Sequence, residues 1–169
     1  MRIFTADDVA RPAPYRDVVE ALRHGFCADI ATPVRHHHDV SENFTLLLMP
    51  AWSKAWTGLK TVVFKPDNPA RGLPTITASY LLIDNRTGAT VAMMDGTEIT
   101  RRRTAAAGAL AADYLARKDA ATMTLVGAGA LGAHFIRAHA GVRPVSRVFV
   151  FSRTLGKSKA LAAELAKGG

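Results

Sequence analysis

The sequence predicts an α/β protein in two parts: an antiparallel-sheet α+β domain, then a strand-helix-strand-helix segment with parallel strands. Three observations predict it. Four β-like segments lie between Phe44 and Met94, and the last two are joined by a turn too short for a parallel crossover. A short apolar strand, Thr122 to Val126, runs straight into Gly127-Ala128-Gly129-Ala130-Leu131-Gly132 and then into a helical stretch. A second strand and a second helix follow, Arg147 to Phe151 and Gly156 to Lys167.

Composition narrows the classes. With 49% hydrophobic and 21% charged residues the chain is of ordinary globular type rather than disordered. No apolar run reaches the roughly 18 residues of a membrane helix, and Met1 to Asp8 turns acidic where a secretion signal would be apolar. A cytoplasmic location with no membrane partner is the expectation. The net charge of +8, from 22 Lys and Arg against 14 Asp and Glu, favours an anionic ligand. The charges are scattered, Arg101-Arg102-Arg103 is the longest basic run, and no aromatic residues are interleaved to stack bases, so nucleic acid is not the expected partner.

In chain order, Val18, Val19, Leu22, Phe26 and Ile30 recur at three- and four-residue steps, which predicts an amphipathic helix over 15–30 behind Pro12 and Pro14. Cys27, the single cysteine, falls on this pattern and is expected in the core. Pro33 opens an irregular stretch to Asn43 that holds Arg35 and His36-His37-His38. Adjacent histidines on an extended segment face alternate sides, and no cysteine or carboxylate pair nearby completes a tetrahedral set, so no metal is expected. One of them lining a substrate pocket is the better reading.

The β-like segments are Phe44 to Met49, Leu59 to Lys65, Thr75 to Asp84 and Ala89 to Met94, with Trp52, Trp56, Met93 and Met94 expected to pack. Thr97 or Thr100 is expected to cap an alanine-rich helix that ends near Ala116. The boundary between the parts is expected near Arg117-Lys118-Asp119, giving domains 1–116 and 117–169.

The glycine turn carries the chemistry. Gly127 permits the tight turn, Gly129 lets backbone approach a pyrophosphate, and Gly132 lets helix and strand pack closely, with the helix dipole facing the phosphates. Standing between a strand and a helix, the motif predicts the first half of a Rossmann dinucleotide-binding domain. The end of the second strand, where an acidic residue would accept from the ribose hydroxyls of NAD, reads Ser152-Arg153-Thr154. A guanidinium and two hydroxyls suit a 2′-phosphate instead, so NADP is the expected cofactor, with NAD possible.

Gly58-Leu59-Lys60, Pro66-x-Asn68, Gly72-x-Pro74-Thr75, Asp95-Gly96, Ile99-Thr100, Arg103-Thr104-Ala105-Ala106 and the glycine turn together resemble the ornithine cyclodeaminase and mu-crystallin family over almost the whole chain. Pro33 to His38 looks most like its Δ1-pyrroline-2-carboxylate reductases. The resemblance implies that Arg35 and Lys60 hold a substrate carboxylate. It implies that Thr75, Arg103, Ala130 and Leu131 touch the nucleotide, and that the first domain binds substrate and forms a homodimer. Arg101 and Arg102 are read as the solvated part of the helix's first turn.

The implied activity is NAD(P)H-dependent reduction of a cyclic imino acid, of the Δ1-pyrroline-2-carboxylate to L-proline type. Ornithine cyclodeamination and non-catalytic NADPH binding of mu-crystallin type are the rivals. The second half of the nucleotide domain, which in the family supplies the catalytic aspartate, is expected beyond Gly169. Little reductase activity is therefore expected of these 169 residues alone.

Overall fold

The computed structural model describes residues 1–167. The expected end of the last helix at Lys167 is met, while Gly168 and Gly169 lie outside the described residues. Packing divides the chain into two compact units: Met1–Ala13 with Cys27–Thr100, and Pro14–Phe26 with Arg101–Gly169. The sequence places the divide at 116/117; the packing places it at 100/101, inside a helix, and sets residues 14–26 with the second unit.

The first unit is built on a six-stranded sheet. Its strands are β1 (Arg2–Phe4), β2 (His36–Ser41), β3 (Phe44–Trp52), β4 (Trp56–Phe64), β5 (Ile76–Asp84) and β6 (Thr90–Asp95), in the order β1-β6-β5-β4-β3-β2. All neighbours are antiparallel except β1, which lies parallel to β6. Helix α1 (Ala6–Ala10) starts in a capping box: the Thr5 hydroxyl accepts from Asp8 N, and the Asp8 carboxylate accepts from Thr5 N.

Several expectations are corrected in this unit. Strand β2 replaces the irregular stretch expected at 33–43, because a hairpin with β3 satisfies its backbone groups. Trp52 and Trp56 end β3 and begin β4 and are 43% and 47% exposed, since the strands run out of the packed layer there. Met93 is also exposed; the two-residue period turns it away from the side on which Ala92 is buried.

The second unit begins with helix α2 (Tyr15–Cys27), three residues shorter than the sequence predicts. Ala31 exchanges backbone hydrogen bonds of 2.8 and 3.0 Å with Trp52, which requires extended chain where a longer helix would have run. The expected core positions Cys27, Phe26 and Ile30 are exposed, the last of them beyond the helix end. Helix α3 (Gly96–Leu115) follows β6, and its N-terminus is capped by neither expected threonine. The Asp95 carboxylate accepts from Glu98 N at 2.7 Å, whereas the Thr97 hydroxyl accepts from Ala78 N on β5 and the Thr100 hydroxyl donates to Gly96 O.

Strand β7 (Thr122–Val126), helix α4 (Gly132–Ala140), strand β8 (Arg147–Phe151) and helix α5 (Leu155–Lys167) complete this unit, with β7 and β8 parallel as expected. Two apolar clusters hold it. Ala105, Ala106 and Ala109 of α3 are fully buried with Val19 of α2 and Ala138 of α4, small side chains that let the helices approach closely. Ala133 and Ile136 of α4 and Leu161 of α5 close over Met123, Leu125, Val148 and Val150, one face of the parallel pair.

Candidate functional site

The Rossmann turn has the geometry its chemistry requires. Gly127 adopts φ +109°, a conformation that side-chain-bearing residues rarely take, and its N–H donates to Phe151 O at 2.7 Å, tying the turn to the end of β8. A Cβ on Gly132 would stand 2.7 Å from Leu161 Cδ2 and 3.3 Å from Leu125 Cδ2, so α4 packs closely on strand and helix at the third glycine. A Cβ on Gly129 would meet no protein atom, which leaves that backbone open to a ligand. Leu131 holds the N-cap position of α4 and no side chain caps it, so the helix start is not screened from an anion.

Beside this turn lies a cleft of about 330 Å³. Val126 to Gly129 line one wall, and Phe151 to Thr154 with Lys157 line the other. No carboxylate is among the lining residues, while Arg153 and Lys157 are two cations. Ser152 is already engaged: its hydroxyl donates to Thr154 O at 2.7 Å and lies 2.9 Å from the buried hydroxyl of Ser158. With its one proton given to Thr154 O, Ser152 shapes the turn and has no donor left for a ligand. Ala130 is exposed and Leu131 half-buried beside these residues.

Lys157 is the charged lining residue that sequence reasoning missed, with Val126, Ala128 and Phe151 the uncharged ones. The signal for Lys157 was its place in the first turn of α5, just after the strand end that carries Arg153.

The two expected carboxylate-binding residues lie in the first unit. Lys60 is half-buried on β4, directly opposite Met49 on β3 and Tyr80 on β5. Arg35 is exposed and directly precedes His36, the first residue of β2, whose partner on β3 is Leu48. Met49, Lys60 and Tyr80 form one lateral row of the sheet, and Arg35 lies just ahead of β2, on the far side of β3 from Lys60. Burial pushes the Tyr80 phenol above the ordinary value.

Among the histidines, His36 and His38 stack with ring centroids 6.4 Å apart, while His37 Nε2 bonds Asp39 Oδ1 at 3.1 Å. The period of β2 puts the first two on one side and the third on the other, as expected for an extended segment.

Thr75 is half-buried just before β5, with its carbonyl accepting from Lys65 N at 2.7 Å. Arg103 is exposed on α3. Its neighbours reverse the sequence expectation: Arg101 and Arg102 are half-buried, and the Arg102 guanidinium sits 4.9 Å above the Tyr15 ring. With α3 starting at Gly96, both arginines lie in its second turn rather than its first, and the cation–π contact sets Arg102 against α2.

The family model for ornithine cyclodeaminase and mu-crystallin matches residues 9–168. The chain belongs to the ornithine cyclodeaminase/mu-crystallin family. Within it, the chain is 31% identical to a Δ1-pyrroline-2-carboxylate reductase of Colwellia psychrerythraea, over 97% of this chain and 54% of that protein. Its fold is similar to that of the Thermococcus litoralis Δ1-pyrroline-2-carboxylate reductase solved in complex with NADH and L-proline. The TM-score is 0.89 and the identity 32%, covering 99% of this chain and 54% of the other. An archaeal alanine dehydrogenase dimer with bound NAD is similar at TM-score 0.88 and 29% identity, over 100% of this chain and 54% of that one. The chain spans about half the length of the curated relatives it matches. Among the described residues, no helix is long and apolar enough to cross a membrane.

Proposed function

We propose that this chain carries the nucleotide-holding and carboxylate-holding residues of an NADPH-dependent reductase of cyclic imino acids, with Δ1-pyrroline-2-carboxylate as substrate and L-proline as product. The observation that carries the reading is the glycine turn at the foot of a cleft that holds Arg153 and no carboxylate. The residues suit a dinucleotide: Gly127 to Gly129 and the uncapped start of α4 suit its pyrophosphate, and Arg153 with Thr154 suits a ribose 2′-phosphate better than bare hydroxyls. When bound, that cofactor supplies the hydride for the imine carbon.

Arg35 offers a planar fork and Lys60 a compact charge, so the two hold the substrate carboxylate and fix which way the C=N bond lies. Half-burial of Lys60 strengthens its pull on that carboxylate by excluding water. Positioning of this kind is worth several orders of magnitude in rate. Thr75 and Arg103 are read as further nucleotide contacts, and the assembly as a homodimer through the sheet of the first unit.

The test is NADPH oxidation with Δ1-pyrroline-2-carboxylate by these residues joined to the second half of the nucleotide domain, combined with fluorescence titration of NADPH and NADH. NADPH should bind more tightly than NADH. Lys60→Ala and Arg35→Ala should each abolish substrate-dependent oxidation while leaving NADPH affinity unchanged. Oxidation that survives Lys60→Ala would move the carboxylate site elsewhere, and equal affinity for the two nucleotides would remove the NADP preference.

A further inference from the structure

We propose that Lys157, together with Arg153, is the residue that selects a 2′-phosphorylated nucleotide in the cleft beside the glycine turn. The inference rests on the reading of that cleft as the dinucleotide site. It adds a second, independently placed cation to the selection, and it moves Ser152 from ligand contact to positioning.

Three observations carry it. Lys157 and Arg153 line the same cleft with no carboxylate among the lining residues to neutralise either, and two cations match a phosphate dianion better than an uncharged ribose. The Ser152 hydroxyl gives its proton to Thr154 O at 2.7 Å, so the strand end offers a ligand one hydroxyl fewer than its sequence suggests. The Lys157 N–H donates to Thr154 O at 3.0 Å, which fixes its backbone beside the 152–154 turn that carries Arg153.

A third cation sharpens the contrast. Helix α5 carries no acidic residue in its first turn, where the macrodipole disfavours cations, yet Lys157 stands there and Lys159 follows. Both are exposed, but only Lys157 lines the cleft. An anion bound at that place offsets the unfavourable position of Lys157 and does nothing for Lys159.

The buried hydroxyl of Ser158, 2.9 Å from Ser152, supports the turn from the helix side. Ser152 is therefore a positioning residue: it sets the path of 152–154, and through it the place of Arg153 and Thr154.

The experiment titrates the full chain with NADPH, NADH, 2′-AMP and 5′-AMP, comparing the unaltered protein with Lys157→Met, Lys157→Arg and the charge control Lys159→Met. Methionine keeps the apolar stem of the lysine, so the folded state is preserved and a thermal melt checks it. Lys157→Met should weaken NADPH and 2′-AMP about tenfold or more, the loss of one charge-assisted bond, with NADH and 5′-AMP changed less than about twofold. Lys157→Arg should restore most of the difference, and Lys159→Met should change neither ratio.

Equal weakening of NADPH and NADH would overturn the proposal by assigning Lys157 to the pyrophosphate that both share. An unchanged NADPH affinity would overturn it as well, while leaving the nucleotide reading intact. Failure of the unaltered chain to bind any of the four ligands would overturn both readings together.

Discussion

Arg143 shows how much one side chain can decide without any motif announcing it. Its side chain is only 4% exposed, and its guanidinium donates to the carbonyls of Ala112, Asp113, Ala116, Arg117 and Val142 and to the Asp113 carboxylate. It thereby gathers carbonyls at and just past the end of α3 onto one buried side chain. Arg143→Ala should destabilise the protein by about 3–5 kcal/mol in urea unfolding, because buried acceptors lose their donors and Asp113 loses a partner. Arg143→Lys should recover little, since an ammonium cannot span so many acceptors. Asp113, held by Arg143 and then Arg23, has its carboxyl lowered from 3.8 to about 2. A depressed carboxylate contributes stability that is fully present above the unfolded value near pH 4 and is lost as pH falls toward 2. The unfolding midpoint should therefore drop across that window, and by less in Arg143→Ala.

At the scale of elements, the three glycines of the turn are not equivalent. Gly127 is constrained by its own backbone, so Gly127→Ala is strained whatever space surrounds it. Gly132→Ala meets mainly the far end of Leu161, a flexible side chain that can yield. Gly127→Ala should cost at least tenfold in nucleotide affinity, of the order of one lost charge-assisted contact. Gly132→Ala should cost about 1–3 kcal/mol in stability, and Gly132→Ala with Leu161→Ala should lose less than the sum of the two single changes. Thermal unfolding and nucleotide titration on the four variants check both. An additive double variant would mean that helix α4 and helix α5 do not press on one another as the packing has it.

The whole molecule raises the question of assembly. In the first unit, Phe64 and Ile76 stand opposite each other across β4 and β5 at 40% and 53% exposure. Apolar groups clustered on a sheet in this way mark an association surface more often than a solvated one. The protein should run as a dimer in light scattering at micromolar concentration, and Phe64→Glu should shift it to monomer. A monomer before the substitution would remove the homodimer reading.

Local patterning determined a good deal by itself. The strands β3 to β8, the helices α2 to α5, the parallel pair, the two-part α/β class and the glycine turn were legible because hydrophobic period and turn chemistry are properties of neighbouring residues. Arg153 and the missing acidic residue were legible because they sit at a fixed distance from that turn. Strand β1 was not, since three residues carry no period and owe their conformation to β6, ninety positions away. Strand β2 was hidden in the same way behind Pro33 and the histidines, and the exposure of Cys27 and Trp52 depended on where the packed layer stops. The division inside α3, the binding of Arg143 to the end of that helix, and the meeting of Lys157 with Arg153 at one cleft join residues through space. Tertiary packing decided them, because burial and hydrogen-bond partnership depend on which distant segments are brought together, and no window along the chain contains that information.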